Sequence, residues 1–407
     1  MIIKKCRSCS SVDLKSSLNL GNQTLTGVFP KSKQEKISKG NLSLVFCKHC
    51  SLLQLSENFN KTEMYGMNYG YMSSLNPSMV SHLKLKALKL QKFSKLEDND
   101  CVIDIGSNDG TFLGFFSKKL LRVGVDPTIK KFYTNYKSGL TGIPDFFSKN
   151  TLHKYKIFNK PKLITSIAMF YDLEDPLSFA KDIYDILDNE GLWHLEQSYL
   201  PTMIKNVSYD TICHEHLEYY SLRSIKYILD KVDFKIVDIE LNNVNGGSFS
   251  LTVAKKSSKK FEKSKFTNWF LRKEDFFNFN KIETINNFAT NVEKHKRLFR
   301  DLILNLKDMK KIVFGYGAST KGNVMLQYCN LNSKHLSYIV DVNPYKRNRY
   351  TPGSKIKIIS EKDFKSKKAD YLIVLPWHFR DFIINKEKKF LENGGHLIFP
   401  LPELEII

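Results

Sequence analysis

The chain has 407 residues, is 42% hydrophobic and 26% charged, and carries a formal net charge of +21. That length provides for two or three domains, each able to bury a core. No run of about eighteen apolar residues occurs, and the opening Met-Ile-Ile-Lys-Lys-Cys is not an apolar signal segment, so a soluble, cytoplasmic protein is expected. The lysines are scattered through the whole chain beside abundant Asn and Ile, a compositional bias rather than one basic face. They argue for a solvated surface, and a monomer with no nucleic-acid or membrane partner is expected.

Two Cys-x-x-Cys knuckles stand at the front, Cys6 with Cys9 and Cys47 with Cys50. Four thiolates so spaced close a tetrahedral shell with no open position, which makes the expected zinc ion structural. Cys101, Cys213 and Cys329 lack partner spacing. After a short strand at Leu52–Leu55 comes a tyrosine- and glycine-rich segment, Tyr65 to Ser74, that suits a pocket wall and includes Tyr69 and Tyr71.

From Pro77 to Phe93 apolar residues recur at helical spacing, and Cys101–Ile105 then reads as a buried strand. It runs into Asp104-Ile-Gly106-Ser-Asn108-Asp-Gly110 and a helical Thr111–Phe116. Glycines at a strand-to-helix turn let the backbone approach a ligand, and the next strand ends at Asp126, a carboxylate placed to take both ribose hydroxyls. The spacing is not the dinucleotide Gly-x-Gly-x-x-Gly. It resembles the first motif of class I S-adenosylmethionine (SAM) methyltransferases, which makes Tyr71, Asp104, Gly106, Asn108, Gly110, Asp126, Pro127 and Ala168 candidate cofactor residues. Leu163–Ala168 and Trp193–Glu196 read as further strands, with Gln197 and Tyr199 projecting toward the catalytic edge.

The densest chemistry lies in Tyr209-Asp-Thr-Ile-Cys-His-Glu-His-Leu-Glu-Tyr-Tyr-Ser221. His214, Glu215 and His216 supply what abstraction of a proton beside a carbonyl needs: a base titrating near neutrality, a carboxylate to orient it, and nearby donors. The pattern is not the His-Glu-x-x-His metal signature, since Glu218 stands four residues after His214. A surface helix start capped by Asp210 or Thr211 is the competing reading.

Lys255, Lys256, Lys259, Lys260, Lys263 and Lys265 read as an exposed linker. Phe276 to Lys310 is amphipathic, and a second strand-turn-helix unit follows at Ile312-Val-Phe-Gly315-Tyr-Gly317-Ala-Ser-Thr-Lys321-Gly322-Asn323, with strands near Tyr338–Asp341, Tyr371–Leu375 and Leu397–Phe399. Lys321 at a helix start suits a phosphate better than a sulfonium, and the third-glycine spacing is wrong for NAD.

Taken in order, the knuckles, the Asp-Ile-Gly turn, the His-Glu-His block, Asn245-Gly246-Gly247-Ser248, the Gly-Tyr-Gly-Ala-x-x-Lys-Gly-Asn turn and Asp341-Val-Asn-Pro-Tyr-Lys346 resemble the sugar C-methyltransferases over nearly the whole chain. The resemblance implies an α/β fold in three parts: a zinc module over 1–72, a class I SAM domain over 73–254, and a Rossmann-like domain over 255–407 that helps hold a nucleotide sugar. It implies methylation at C3 of a nucleotide-linked 4-keto-6-deoxy sugar, with His216 as base, Glu215 orienting it, His214 as the rival base, and Tyr219 or Tyr199 near the oxyanion. Asn245, Gly247, Ser248, Gly317, Ala318, Lys321, Asn323 and Asp341 are the candidate substrate residues. Cys213 and Tyr171 depart from the tyrosine and histidine of some members. Sugar O-methylation on the same scaffold is one alternative reading, and a nucleic-acid-binding zinc protein, motivated by the charge, is another.

Overall fold

The computed structural model of the protein describes residues 1–65, 71–136 and 139–407. Strands β1 (Leu14–Thr24), β2 (Lys39–Cys47) and β3 (Leu53–Leu55) form an antiparallel meander. Along β2 the buried positions Gly40, Leu42, Leu44 and Phe46 alternate with partly exposed ones, as a strand with one covered face requires.

The helix Pro77–Ser94 comes next. Asn76 caps it by accepting from the amides of Ser78 and Met79, Pro77 takes the first turn, and Lys95 ends it in the left-handed region. Its buried stripe of Met79, Leu83, Lys86, Ala87 and Leu90 covers a sheet whose parallel strands are β4 (Cys101–Ile105), β5 (Leu121–Val125), β6 (Leu140–Ile143), β7 (Leu163–Ile167) and β8 (Leu192–Ser198). The short β9 (Glu218–Tyr219) leaves this sheet and pairs with β3 instead, Leu53 opposite Tyr219 and Gln54 opposite Glu218. The antiparallel strands β10 (Phe234–Asn242) and β11 (Ser248–Lys255) complete the order β10-β11-β8-β7-β4-β5-β6. Strand order reverses around β4, and such a switch point opens a crevice at the carboxyl ends of the strands.

A third sheet has the order β14-β13-β12-β15-β16-β17, from β12 (Val313–Tyr316), β13 (Ile339–Val340), β14 (Ile358–Ile359), β15 (Tyr371–Val374), β16 (His396–Phe399) and β17 (Glu405–Ile406). All pairs are parallel except the last. The helix Ile282–Asp308 buries Ile285, Phe288, Val292, Phe299, Ile303 and Leu306 in a core that also holds Leu18, Leu42 and Leu44 of the first sheet and Tyr209, Ile212, Cys213, Leu217 and Tyr219 of the histidine-rich stretch. The histidine-rich loop thus runs through a core shared by two sheets.

Two local expectations change. The helix expected at Thr111–Phe116 is a single 3-10 turn at Leu113–Phe115, because Phe112 and Phe116 both bury and the chain must return to β5 at Leu121. The lysine-rich linker is not wholly exposed: Lys255 ends β11 buried, its ammonium 4.7 Å from the Tyr184 ring centroid, and Ser258, Lys259 and Lys260 bond to Glu190. No described helix is long and apolar enough to cross a membrane.

Candidate active site

The two knuckles are built alike. Ser10 and Ser51 follow the second cysteine of each pair with φ of 59° and 60°, and their amides donate to the Cys6 and Cys47 carbonyls at 2.9 Å. This folds each pair around one point. The Cys6–Cys50 sulfurs lie 3.6 Å apart, the Cys9–Cys47 sulfurs 3.5 Å, and all four are within 4.8 Å of one another. A tetrahedral ion with metal–sulfur bonds of about 2.3 Å needs sulfur–sulfur edges of ~3.8 Å, so the four thiolates fit zinc. Gln54 donates to the Cys6 sulfur at 3.2 Å, and the buried Arg7 side chain donates to the Leu55 carbonyl at 2.6 Å with Glu218 at 3.9 Å.

A cavity of about 450 Å³ opens over the ends of β4, β5, β7 and β8. The candidate cofactor residues Tyr71, Asp104, Gly106, Asn108, Asp126, Pro127 and Ala168 line it, as do Tyr65, Asp172, Glu196 and Gln197. Tyr69 lies outside the described residues. Gly106 has φ of 76°, and a Cβ there would fall 2.8 Å from the Met169 side chain. Gly110 stands outside the lining; its φ of 76° closes the turn, with its amide on the Ser107 carbonyl at 2.9 Å. Asp126 accepts from the Asn108 amide at 2.9 Å and from the Thr128 amide and hydroxyl at 2.7 and 2.5 Å. A carboxylate has about four acceptor positions, so its own chain occupies three and leaves about one for a ribose hydroxyl rather than a pair. Burial pushes Asp104 up to about 7, against a hydrogen bond from Thr165. Past Asp126, Phe146 and Phe147 supply an apolar wall suited to adenine.

Sequence reasoning missed the other end. Glu196 on β8 is bonded to His82 at 2.6 Å and Lys86 at 3.0 Å, both from the helix Pro77–Ser94, and is held down at about 2, burial being outweighed by the His82 hydrogen bond and the Lys86 charge. His82 and Lys86 are four apart on one helical face, the signal that was available.

The His-Glu-His loop lies behind Tyr171 and Asp172, outside the cavity lining. The Leu217 amide donates to the Tyr171 carbonyl at 2.7 Å, and the Tyr171 ring meets the His216 ring at 4.2 Å. His216 Nδ1–H donates to the Thr211 carbonyl at 2.8 Å, which leaves Nε2 as the atom with the lone pair. Burial and the Lys321 ammonium lower its pKa to about 3. No hydrogen bond joins Glu215 to His216 among the described residues, so the orienting carboxylate expected from sequence is replaced by a backbone carbonyl. Glu215 instead meets Gly27, where a Cβ would fall 2.1 Å from its Oε1, and its Oε2 has no partner. Burial raises the pKa of Glu215 and Asp172, and Tyr65 donates to Asp172 at 2.8 Å. His214 is fully buried, its ring against Phe59 and its Nε2 near the Gly40 carbonyl at 3.3 Å. The two tyrosines expected near an oxyanion are committed elsewhere: Tyr219 donates to the His216 carbonyl at 2.9 Å and Tyr199 to Glu274 at 2.8 Å.

The second turn meets the connection between β10 and β11. Lys321 donates to the Asn245 carbonyl at 2.6 Å, so its ammonium is not at a phosphate cradle. Asn245 and Ser248 line the cavity, whereas Gly247, with φ of 120°, abuts Thr202. Asp341 accepts from the Ala318 amide at 2.6 Å and the Asn343 amide at 2.7 Å, and Gly317, with φ of 83°, lies against Pro376. Asn323 donates to the Thr26 carbonyl at 2.8 Å and its Oδ1 has no partner. Trp377 covers Gly246 and donates to Asp210 at 2.8 Å, a contact between distant segments that no local pattern announces.

Residues 6–65 match a zinc binding domain family, 80–239 a methyltransferase domain family, and 243–402 the C-methyltransferase C-terminal domain. The chain is similar to the C-methyltransferases in all three of its parts. C-methyltransferase NovU of Streptomyces niveus is 29% identical over 410 residues, covering 100% of this chain and 97% of its own. Among solved structures, the plantazolicin methyltransferase BpumL in complex with SAH is 13% identical with a TM-score of 0.34, covering 43% of this chain and 83% of its own. N-methyltransferase NodS from Bradyrhizobium japonicum WM9 is 10% identical with a TM-score of 0.32, covering 44% and 97%. The protein is a SAM-dependent methyltransferase whose cysteine cluster is a structural zinc site.

Elemental analysis of reduced protein should find one zinc per chain. Chelation should speed amide exchange over residues 6–65 and also at Glu218–Tyr219, because β9 pairs with β3, while the β4–β8 strands stay protected. Unchanged exchange at Glu218–Tyr219 would show that the two parts are uncoupled. Asp126→Ala should weaken SAM by ~2–3 kcal/mol, roughly 30- to 150-fold, through the lost ribose contact and the loosened Asn108 turn. Unaltered calorimetric affinity in a folded variant would remove Asp126 from the cofactor site.

Proposed function

We propose that the protein methylates C3 of a nucleotide-linked 4-keto-6-deoxy sugar through an enolate, with His216 as the base. The observation that carries this reading is the Nδ1–H bond to the Thr211 carbonyl, which fixes the ring as the tautomer with a free Nε2. Methylation at carbon needs a carbanion equivalent, and a ketone at C4 acidifies the hydrogen on C3 enough for imidazole to take it. Half-buried and with the Lys321 charge near it, His216 stays neutral at physiological pH, so its Nε2 lone pair is available. As the proton moves to Nε2, negative charge grows on the C4 oxygen, and the half-buried Lys321 ammonium, whose charge His216 feels, balances it.

A polyhydroxylated acceptor is supported by polar atoms that the fold leaves buried without partners: Glu215 Oε2, Asp172 Oδ1, Asp210 Oδ1 and Asn323 Oδ1. Each costs free energy unless a ligand's hydroxyls satisfy it. The raised pKa of Glu215 and Asp172 favours carboxyl groups that donate as well as accept. SAM, which the residues around Asp126 and Asn108 would hold, would supply an electrophilic methyl on a sulfonium. The same base beside a hydroxyl would serve O-methylation, so the position of the methyl decides between the two.

With SAM replaced by its demethylated product, wild-type protein should exchange the sugar's C3 hydrogen with solvent deuterium. His216→Asn should abolish that exchange and lower turnover by about 10²–10⁴-fold with binding nearly intact. His214→Asn should keep exchange, since its ring faces Phe59 and Gly40. Loss of exchange in His214→Asn alone would move the base, and NMR of the product showing a methyl on oxygen would discard the enolate.

A further inference from the structure

One residue in the cavity is fully equipped and unused. Gln197, near the end of β8, is 2% exposed and lines the cavity, yet neither its Nε2 nor its Oε1 has a hydrogen-bond partner. The polar groups beside it are spent. The Ser248 hydroxyl donates to the Val244 carbonyl at 2.9 Å, the Asn245 carbonyl takes Lys321, and the Glu196 charge is held by His82 and Lys86. A buried carboxamide with both ends open costs free energy that only a ligand offering both a donor and an acceptor returns.

We infer that Gln197 reads the α-amino-acid end of SAM, its Oε1 accepting from the ammonium and its Nε2 donating to the carboxylate. An α-amino acid presents one cationic donor next to one anionic acceptor, the complement of a primary carboxamide. Position agrees with chemistry. Asp126 at the tip of β5 marks the ribose end, and the strand order β5-β4-β7-β8 puts Gln197 three strand spacings away, about 14 Å, with both side chains lining the space between. An extended ligand with ribose at one end and an amino acid at the other spans such a gap. Charge at this end is also neutralised, because Glu196 is paired, so an incoming carboxylate meets a donor rather than an open anion.

The test needs no acceptor and no turnover, so its outcome is independent of the sugar chemistry proposed above. Calorimetry with the zinc-loaded full chain would compare S-adenosylhomocysteine with 5′-methylthioadenosine, which keeps the adenosine and lacks the amino acid. Gln197→Met, close in volume, should weaken S-adenosylhomocysteine by about 10- to 50-fold and change 5′-methylthioadenosine by less than about twofold. Retained 5′-methylthioadenosine binding also certifies the fold of the variant. Gln197→Glu, which puts a carboxylate against a carboxylate, should show the same selective loss. Equal weakening of both ligands, or no loss for S-adenosylhomocysteine in either variant, would overturn the assignment, and a raised KM for the acceptor alone would give Gln197 to the other substrate.

Discussion

The pairing of β3 with the two residues Glu218 and Tyr219 is the constraint on which the histidine loop depends. Without it the histidine loop has no strand to lie on. The cysteine knuckles set β3 through Gln54, which reaches the Cys6 sulfur, and through Arg7, whose guanidinium holds the Leu55 carbonyl and faces Glu218. Tyr219 then passes the restraint on, its hydroxyl bonding the His216 carbonyl. A small module that owes its order to a metal therefore positions a side chain on the far side of a sheet pairing. In a chain of this design, zinc is structural in chemistry and still felt at the histidine loop.

The two strand-turn-helix units solve one local problem in the same way. Asp126 binds the turn amide of Asn108 and the amide of Thr128 two residues on, while Asp341 binds the turn amide of Ala318 and the amide of Asn343 two residues on. In each case a carboxylate at the end of one strand stiffens the glycine turn after its neighbour. They differ in what lies above the turn. The first opens on the cavity. The second is filled by Pro376 against Gly317 and by Lys321 reaching Asn245, so this turn meets the rest of the protein rather than a dinucleotide.

Much of this was legible in the sequence. The four cysteines, the helix from Pro77, the buried strand at Cys101–Ile105 and the acids closing each unit announce themselves because spacing and periodicity are local properties. The density of polar and titratable side chains in the His-Glu-His loop was likewise plain in the sequence. Its internal geometry was not legible, because which atom meets a ring depends on how the loop crosses a core shared by two sheets. Sequence adjacency suggested Glu215 as the partner of His216, yet successive residues on the loop point apart and the Thr211 carbonyl takes that place. Tyr199 likewise follows Gln197 by two residues, but Glu274, from a helix far along the chain, draws its hydroxyl away. Gln197 carried no motif, and its meaning rests on burial without a partner, which only three dimensions reveal.

The account turns on the state of one imidazole. Histidine ¹⁵N chemical shifts, with His216 assigned by its absence in His216→Asn, read that state directly. The protein should show His216 with Nδ1 protonated, Nε2 bare and no titration between about pH 8 and pH 6, because burial and Lys321 lower its pKa to about 3. An imidazolium at neutral pH, or a ring protonated on Nε2, would contradict it.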